Sequence, residues 1–153
     1  MGTRSRIAVM HGDNCKSVYC HWDGYLEHNG RILLEHYDSA RANHLVSLGD
    51  LSSLAPEIGD KHDFDDRKAC EGVCTFYGRD RGEKDTDFRV DTTFESFLER
   101  ANNCGAEYYY IMKDGEWYVG DTYRSSPLSG RLVLLAEALA DKHIENAKTV
   151  SAE

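Results

Sequence analysis

The chain has no cationic surplus. Its 153 residues carry 18 Lys and Arg against 27 Asp and Glu, a formal net charge of −9. Generic affinity for nucleic acid comes from cationic neutralisation of phosphates, so no direct nucleic-acid partner is expected. Long apolar runs are also missing. The longest lies within Leu132–Ala140 and is broken by Glu137, too short to span a bilayer, and no membrane partner is expected. Met1 to Arg6 contain no apolar segment, and Arg6 stands where a myristoylation signal wants Ser or Thr. Neither a secretory leader nor a lipid anchor is therefore expected. Five cysteines without such a leader read as reduced thiols in a cytosol.

Cofactor motifs are scarce as well. There is no Walker loop. Asp63, Asp65 and Asp66 lack the glycine and terminal glutamate of a calcium loop. Cys70 and Cys74 with His62 upstream are zinc-ligand types, but no second close pair completes a tetrahedral set. No metal and no cofactor is expected.

What is present fits one soluble globular domain over residues 1–153, with 41% apolar and 29% charged residues. The acidic surface suits solubility, or a basic protein partner. The densest stretch of chemistry is Tyr19-Cys20-His21-Trp22-Asp23-Gly24-Tyr25. On a strand, side chains alternate, so Val18, Cys20 and Trp22 are expected to face a core and Tyr19, His21 and Asp23 a site. Residues two apart on one face lie about 7 Å apart, so His21 and Asp23 could share a ligand or a proton, with His21 as general acid or base. Tyr19 and Tyr25 add phenols.

Around this stretch the pattern predicts elements in the order β-β-α-α-β-α-β-β-α. Arg4–Met10 and Lys16–Trp22 read as an antiparallel hairpin, which sets Arg4 or Arg6 beside Tyr19 and His21. Asn29 and Asp38 are expected to cap helices over 30–37 and 39–48, the first inward through Ile32, Leu33 and Tyr37 with His36 at its flank. Asp50 to Leu54 reads as a turn or helical turn, Gly72–Tyr77 as a strand and Phe88–Val90 as a short strand. Residues 58–72 and 79–88 read as surface loops. Thr92 with Glu95 is a capping-box pattern for a helix over 93–102, and Lys113-Asp114-Gly115 is a hairpin turn. A last helix is expected over about 130–146, with a frayed tail over 148–153. Leu128, Leu132, Leu135 and Leu139 supply its core stripe or, alternatively, a homodimer seam. Tyr108, Tyr109, Tyr110, Trp117 and Tyr118 suit sheet packing more than base stacking. The fold class expected is α+β, an antiparallel sheet with helices packed mainly on one face.

A second constellation is Tyr77-Gly78-Arg79-Asp80-Arg81-Gly82-Glu83. Two arginines in a glycine-flanked loop can clamp a phosphate or carboxylate. The same residues can equally form a salt-bridged turn.

Together the HWDGY segment, Leu33-Leu34-Glu35-His36-Tyr37, Leu48-Gly49-Asp50-Leu51-Ser52-Ser53-Leu54 and the YGRDRGE segment resemble a family of small proteins encoded largely by tailed bacteriophages. The resemblance, which also takes in Thr3-Arg4-Ser5, covers roughly the first 85 residues and departs from the family where Leu26 replaces a common proline. It implies an accessory role in the host cytoplasm, with counter-defence as one such role. Three readings follow. The first is a module binding a nucleotide-derived, phosphate-containing ligand through Arg4, Arg6, Tyr19, His21, Trp22, Asp23, Tyr25, His36, Tyr77, Arg79 and Arg81. The second is an acidic inhibitor of a host defence protein, of the anti-CRISPR type. The third is a hydrolase of a nucleotide bond using His21 and Asp23.

Overall fold

The computed structural model describes residues 3–123 and 128–140. Among the described residues, two hairpins form the centre of the sheet. β1 (Ser5–His11) pairs antiparallel with β2 (Asn14–Cys20). After a π-helical turn over Leu26–Gly30 come α1 (Arg31–His36) and α2 (Ser39–Ser47). Next are β3 (Leu51–Ser53), α3 (Arg67–Cys70), β4 (Thr75–Phe76) and α4 (Tyr77–Arg81). β5 (Arg89–Asp91) and α5 (Phe94–Asn103) lead to the second hairpin, β6 (Tyr108–Lys113) and β7 (Glu116–Asp121). β8 (Val133–Leu134) and α6 (Leu135–Ala140) close the described chain.

The sheet runs β4-β3-β2-β1-β6-β7-β8, with β5 also paired to β2. The α+β class holds, but the sheet is mixed rather than antiparallel. β1 runs parallel to β6 and β2 parallel to β3. Parallel neighbours need a long crossover. The chain between β2 and β6 supplies it, so the two local hairpins join side by side through strands that are distant in sequence.

Alternation along the strands builds two cores. Ile7, Val9, Tyr110 and Met112 face one way, onto Leu33 of α1, Leu45 and Val46 of α2, and Leu135 and Ala138 of α6. Ala8, Met10, Tyr109 and Ile111 face the other, onto Phe97 of α5. Fully burying a side chain such as Phe97 contributes about 1.5–3 kcal/mol. α5 thus covers the sheet face opposite α1, α2 and α6.

Local chemistry sets the ends of these elements. Asp38 accepts the Arg41 N–H at 2.9 Å and caps α2. Thr93, one residue beyond the expected position, accepts the Ser96 N–H at 3.1 Å and caps α5. Asp114 and Gly115 have φ of 53° and 80°, the left-handed pair that a two-residue hairpin turn requires. Asn29 caps nothing. It is buried, and its amide donates to Ser5 Oγ and the Trp22 carbonyl, both at 3.4 Å.

Four local expectations are revised. Asp50–Leu54 is not a turn, because Leu51–Ser53 forms β3 on the free edge of β2. The expected loop 79–88 begins inside α4, which ends at Gly82 with φ 76°. The expected loop 58–72 contains α3, whose N–H groups at Lys68 and Ala69 are capped by Asp66. The expected final helix starts later, at Leu135. Its extension over 141–146 and the tail over 148–153 lie outside the described residues. Leu128 and Leu135 are buried, and Leu132 and Leu139 pack against the two cores, so the leucine stripe is spent on packing within the chain. No helix among the described residues is long and apolar enough to cross a membrane.

Candidate functional site

The outer edge of β2 is shared by two strands. β5 pairs with Cys15, Lys16 and Ser17, whereas β3 pairs at Cys20. Between them a notch opens at Tyr19. The Tyr19 N–H, left without a strand partner there, donates to the Asp50 carboxylate at 2.9 Å. Asp50 is held in turn by its own backbone, its N–H donating to the Thr86 carbonyl and its carbonyl accepting from the Tyr77 N–H. Gly49 makes this possible. Its φ is 96°, and a Cβ there would lie 2.5 Å from the Thr86 carbonyl oxygen.

On the α5 face this notch becomes a cleft of about 370 Å³, lined by Arg6, Tyr19, Asp50, Arg89, Arg100, Asn103 and Cys104. Arg6 pairs across the strands with Tyr19, as the hairpin predicts. Its guanidinium donates to Ser17 Oγ at 3.0 Å and to the Ser17 carbonyl at 3.2 Å, with Cys104 Sγ at 3.9 Å. Arg6 is only 4% exposed, yet among the described residues it forms no ion pair with a carboxylate. Asp50 and Asp91 feel its charge only at longer range. Buried charges are ordinarily paired, because losing water costs several kcal/mol per ion. Arg89 likewise has carbonyl partners only, Asp87 and Asp85. Arg100 is committed, gripping Asp91 through bonds of 2.8 and 3.2 Å.

Burial pushes the Asp50 carboxyl up, against the pull of the Tyr19 N–H and of Arg6 and Arg89. Burial also pushes the Tyr19 phenol up to about 12, with Arg4 partly offsetting it. Tyr19 therefore stays protonated and remains a hydrogen-bond donor. Its hydroxyl meets His21 Nδ1 at 2.7 Å, so these two residues share a face as the strand pattern requires.

Asp23 does not join them. The strand ends at Cys20, and Asp23 takes φ 55°, which turns the chain off the pleat. Among the described residues no hydrogen bond or ion pair links Asp23 to His21. Trp22, expected in the core, is 43% exposed, and its ring meets His21 edge-on at 4.7 Å. The reason lies in the same turn. Gly24 is clamped against β1, its N–H donating to the Thr3 carbonyl at 2.8 Å, and a Cβ there would lie 2.8 Å from Ser5 Cβ. Tyr25 is 41% exposed beside the His28 ring.

The other expected site residues divide. Arg4 is exposed, and its guanidinium packs against Gly105, close enough for its charge to reach Tyr19. Tyr77 is half-buried and borders Asp50 through its backbone. Arg79 is used up internally. It donates to the Ile58, Gly59 and Cys74 carbonyls and to Asp80, and lies over the Phe76 ring at 4.6 Å. Arg81 pairs with Glu83 at 3.5 Å on the surface. His36 belongs to a different cleft of about 500 Å³, with Tyr37, Met112, Glu116 and Trp117. The shared HWDGY–YGRDRGE clamp is thus not formed by Arg79.

His62, Cys70 and Cys74 do not converge on a metal position either. Cys74 Sγ lies 3.2 Å from the Tyr37 hydroxyl, while His62 Nε2 lies 3.2 Å from Thr75 Oγ1. The residues missed by sequence reasoning are Asp50, Arg89, Arg100 and Cys104. Asp50 lay in the Leu48–Leu54 motif, which was a usable signal. Arg89 and Arg100 carry none, since a strand arginine and a helix arginine are indistinguishable from ordinary surface residues. Comparison with known protein families, curated proteins and solved structures yields no match.

Proposed function

We propose that the chain binds a small phosphate-bearing, nucleotide-derived ligand in the cleft between β2, β5 and α5. The observation that carries this reading is Arg6, a buried guanidinium facing a cleft with no carboxylate in contact. An oxyanion arriving there supplies the missing counter-charge and accepts two parallel N–H bonds, the geometry arginine favours. Arg89 stands at the wall, likewise without an ion pair among the described residues, and Tyr19 lines the same cleft. Trp22 and Tyr25, exposed on the adjoining turn, offer faces on which a base can stack. The anion-binding arginines are therefore Arg6 and Arg89 in place of Arg79 and Arg81. The resemblance to small tailed-phage proteins makes sequestration of a host signalling nucleotide the role of such binding.

Calorimetric titration with a panel of nucleoside mono-, di- and cyclic phosphates tests this, with the parent nucleosides as controls. Binding of a phosphate form and none of its nucleoside is the expected result. Arg89→Gln weakens it about tenfold, the value of one charge-assisted contact. Equal binding of the nucleoside, or none by any phosphate, overturns the reading.

The exposure of both Trp22 and Tyr25 supports the second reading, an acidic inhibitor docking on a host defence protein through an aromatic anchor. A complex with a purified defence protein that is lost in Trp22→Ala and kept in Arg89→Gln distinguishes it. Hydrolysis gains no support, because Asp23 does not reach His21.

A further inference from the structure

The hydrogen bond between Tyr19 and His21 contains a choice that the cleft can feel. The Tyr19 hydroxyl has one proton and two lone pairs. When His21 is neutral with Nδ1 bare, the phenol donates to Nδ1 across the 2.7 Å bond. Its oxygen then presents only lone pairs to the cleft, where they repel an oxyanion. When His21 is protonated, Nδ1–H donates to the phenol oxygen instead. The phenol proton is then free to turn away from His21, and an anion in the cleft that Tyr19 lines with Arg6 and Arg89 can accept it.

We propose that His21 is a positioning residue for the anion cleft, directing the Tyr19 proton so that oxyanions bind more tightly when the imidazole is charged. This rests on the anion-binding reading above and names how that site is regulated. No bond to the ligand is made by His21 itself.

The surroundings are consistent with a single titrating relay. Tyr19 faces Arg6 across the hairpin and lies within electrostatic reach of Arg4, Tyr77, Cys20 and Cys104. His21 touches Tyr19 and the Trp22 edge, and its backbone N–H donates to the Leu51 carbonyl. Tyr19 and Cys20, both pushed up to about 12 by burial, keep their protons at neutral pH. Imidazole is the side chain whose charge changes between about pH 5 and 8. Asp50 also lines the cleft, and proton uptake there would strengthen anion binding by a different route, so it needs its own control.

Inorganic sulfate is the suitable probe, since its charge is constant across this range. Titrating the full chain with sulfate from about pH 8.5 to 5.5, with folding checked by circular dichroism, is expected to tighten the dissociation constant about tenfold, the worth of one hydrogen bond to a charged group. Tyr19→Phe and His21→Gln each bind sulfate with a flat pH profile, whereas Asp50→Asn keeps the wild-type slope. In nitrogen NMR at fixed pH, added sulfate raises the protonated share of the His21 Nδ1 signal, as linkage demands. A slope that persists in Tyr19→Phe, or that vanishes in Asp50→Asn alone, overturns the proposal. Sulfate binding that is flat in the wild type overturns it while leaving the anion site standing. No sulfate binding at any pH overturns the proposal, and the phosphate panel above then decides the anion site.

Discussion

Two groups of arginines in this chain meet opposite fates. Around α4, Asp80 is the hub. Its side chain is fully buried and accepts from Arg79 Nε at 3.0 Å, from the Phe76 N–H at 2.8 Å and from the His62 N–H at 3.0 Å. Arg79 spends its remaining donors on three carbonyls. Charge and donors are both satisfied, and the cluster staples the 58–62 segment to β4. In the β2–β5–α5 cleft, Arg6 is as well buried but leaves its charge without a contacting carboxylate. The glycine-flanked pair looked more like a phosphate clamp in sequence. The lesson is that an arginine's availability depends on how many of its donors the fold consumes.

The largest expected effect comes from breaking the satisfied cluster. Asp80→Ala leaves the largely buried Arg79 guanidinium without its counter-charge and two backbone N–H groups without an acceptor, and should cost about 3 kcal/mol in denaturant unfolding. A change under half of that would mean the Asp80 cluster is not the staple described. The same hub predicts an acid limb. Burial alone would raise the Asp80 carboxyl, but Arg79 and the two N–H groups together hold it below its usual range. Asp91 is likewise lowered, its burial outweighed by Arg100 and Ser96. A carboxyl lowered on folding contributes its full stability above the unfolded value of about 4, and that contribution is lost as pH falls through the folded value. Stability measured downward from about pH 5 should therefore decline, and less steeply in Asp80→Asn.

Gly49→Ala comes next. The left-handed backbone and the approach to Thr86 together predict a loss of about 1–3 kcal/mol, with displacement of Asp50 from the Tyr19 N–H. Amide exchange at Tyr19 should accelerate with it.

Arg6→Met sharpens the contrast most directly. Removing a buried charge that lacks a counter-ion should alter stability by no more than about 1 kcal/mol, since similar-volume apolar replacements of buried ions are often neutral. Anion binding should nevertheless weaken at least about tenfold. Destabilisation like that of Asp80→Ala, with binding intact, would erase the difference between the two clusters. Smallest of all is Arg81→Ala. Its pair with Glu83 is surface-exposed, and about 0.5 kcal/mol or less is expected in a thermal melt.

Much of the scaffold was legible in the residues. Alternating Ile7 and Val9, the Asp114-Gly115 turn and the cap at Asp38 act within a few residues, and local sterics and hydrogen bonding settle them; the α5 cap falls one residue later than the pattern has it, at Thr93. The Tyr19–His21 side of the site was legible for the same reason, through the two-residue period. Trp22 and Asp23 departed from that period because Gly24 packs against Thr3 and Ser5, a contact that no pattern within the HWDGY stretch specifies. β3 was missed because Ser52 and Ser53 have little strand preference. The free edge of β2 supplies the pairing, with the His21 and Trp22 N–H groups donating to the Leu51 and Ser52 carbonyls.

By itself the sequence determined two hairpins, the Asp38-capped helix, an acidic balance and a protic strand at Tyr19 and His21. Each follows from interactions between near neighbours. Tertiary structure decided that β1 would lie parallel to β6, that Asp80 would absorb Arg79, and that Arg6, Arg89 and Arg100 would meet around Tyr19. Those outcomes depend on packing between segments up to about a hundred residues apart, where hydrophobic burial chooses the arrangement and the charges settle into whatever surroundings it leaves them.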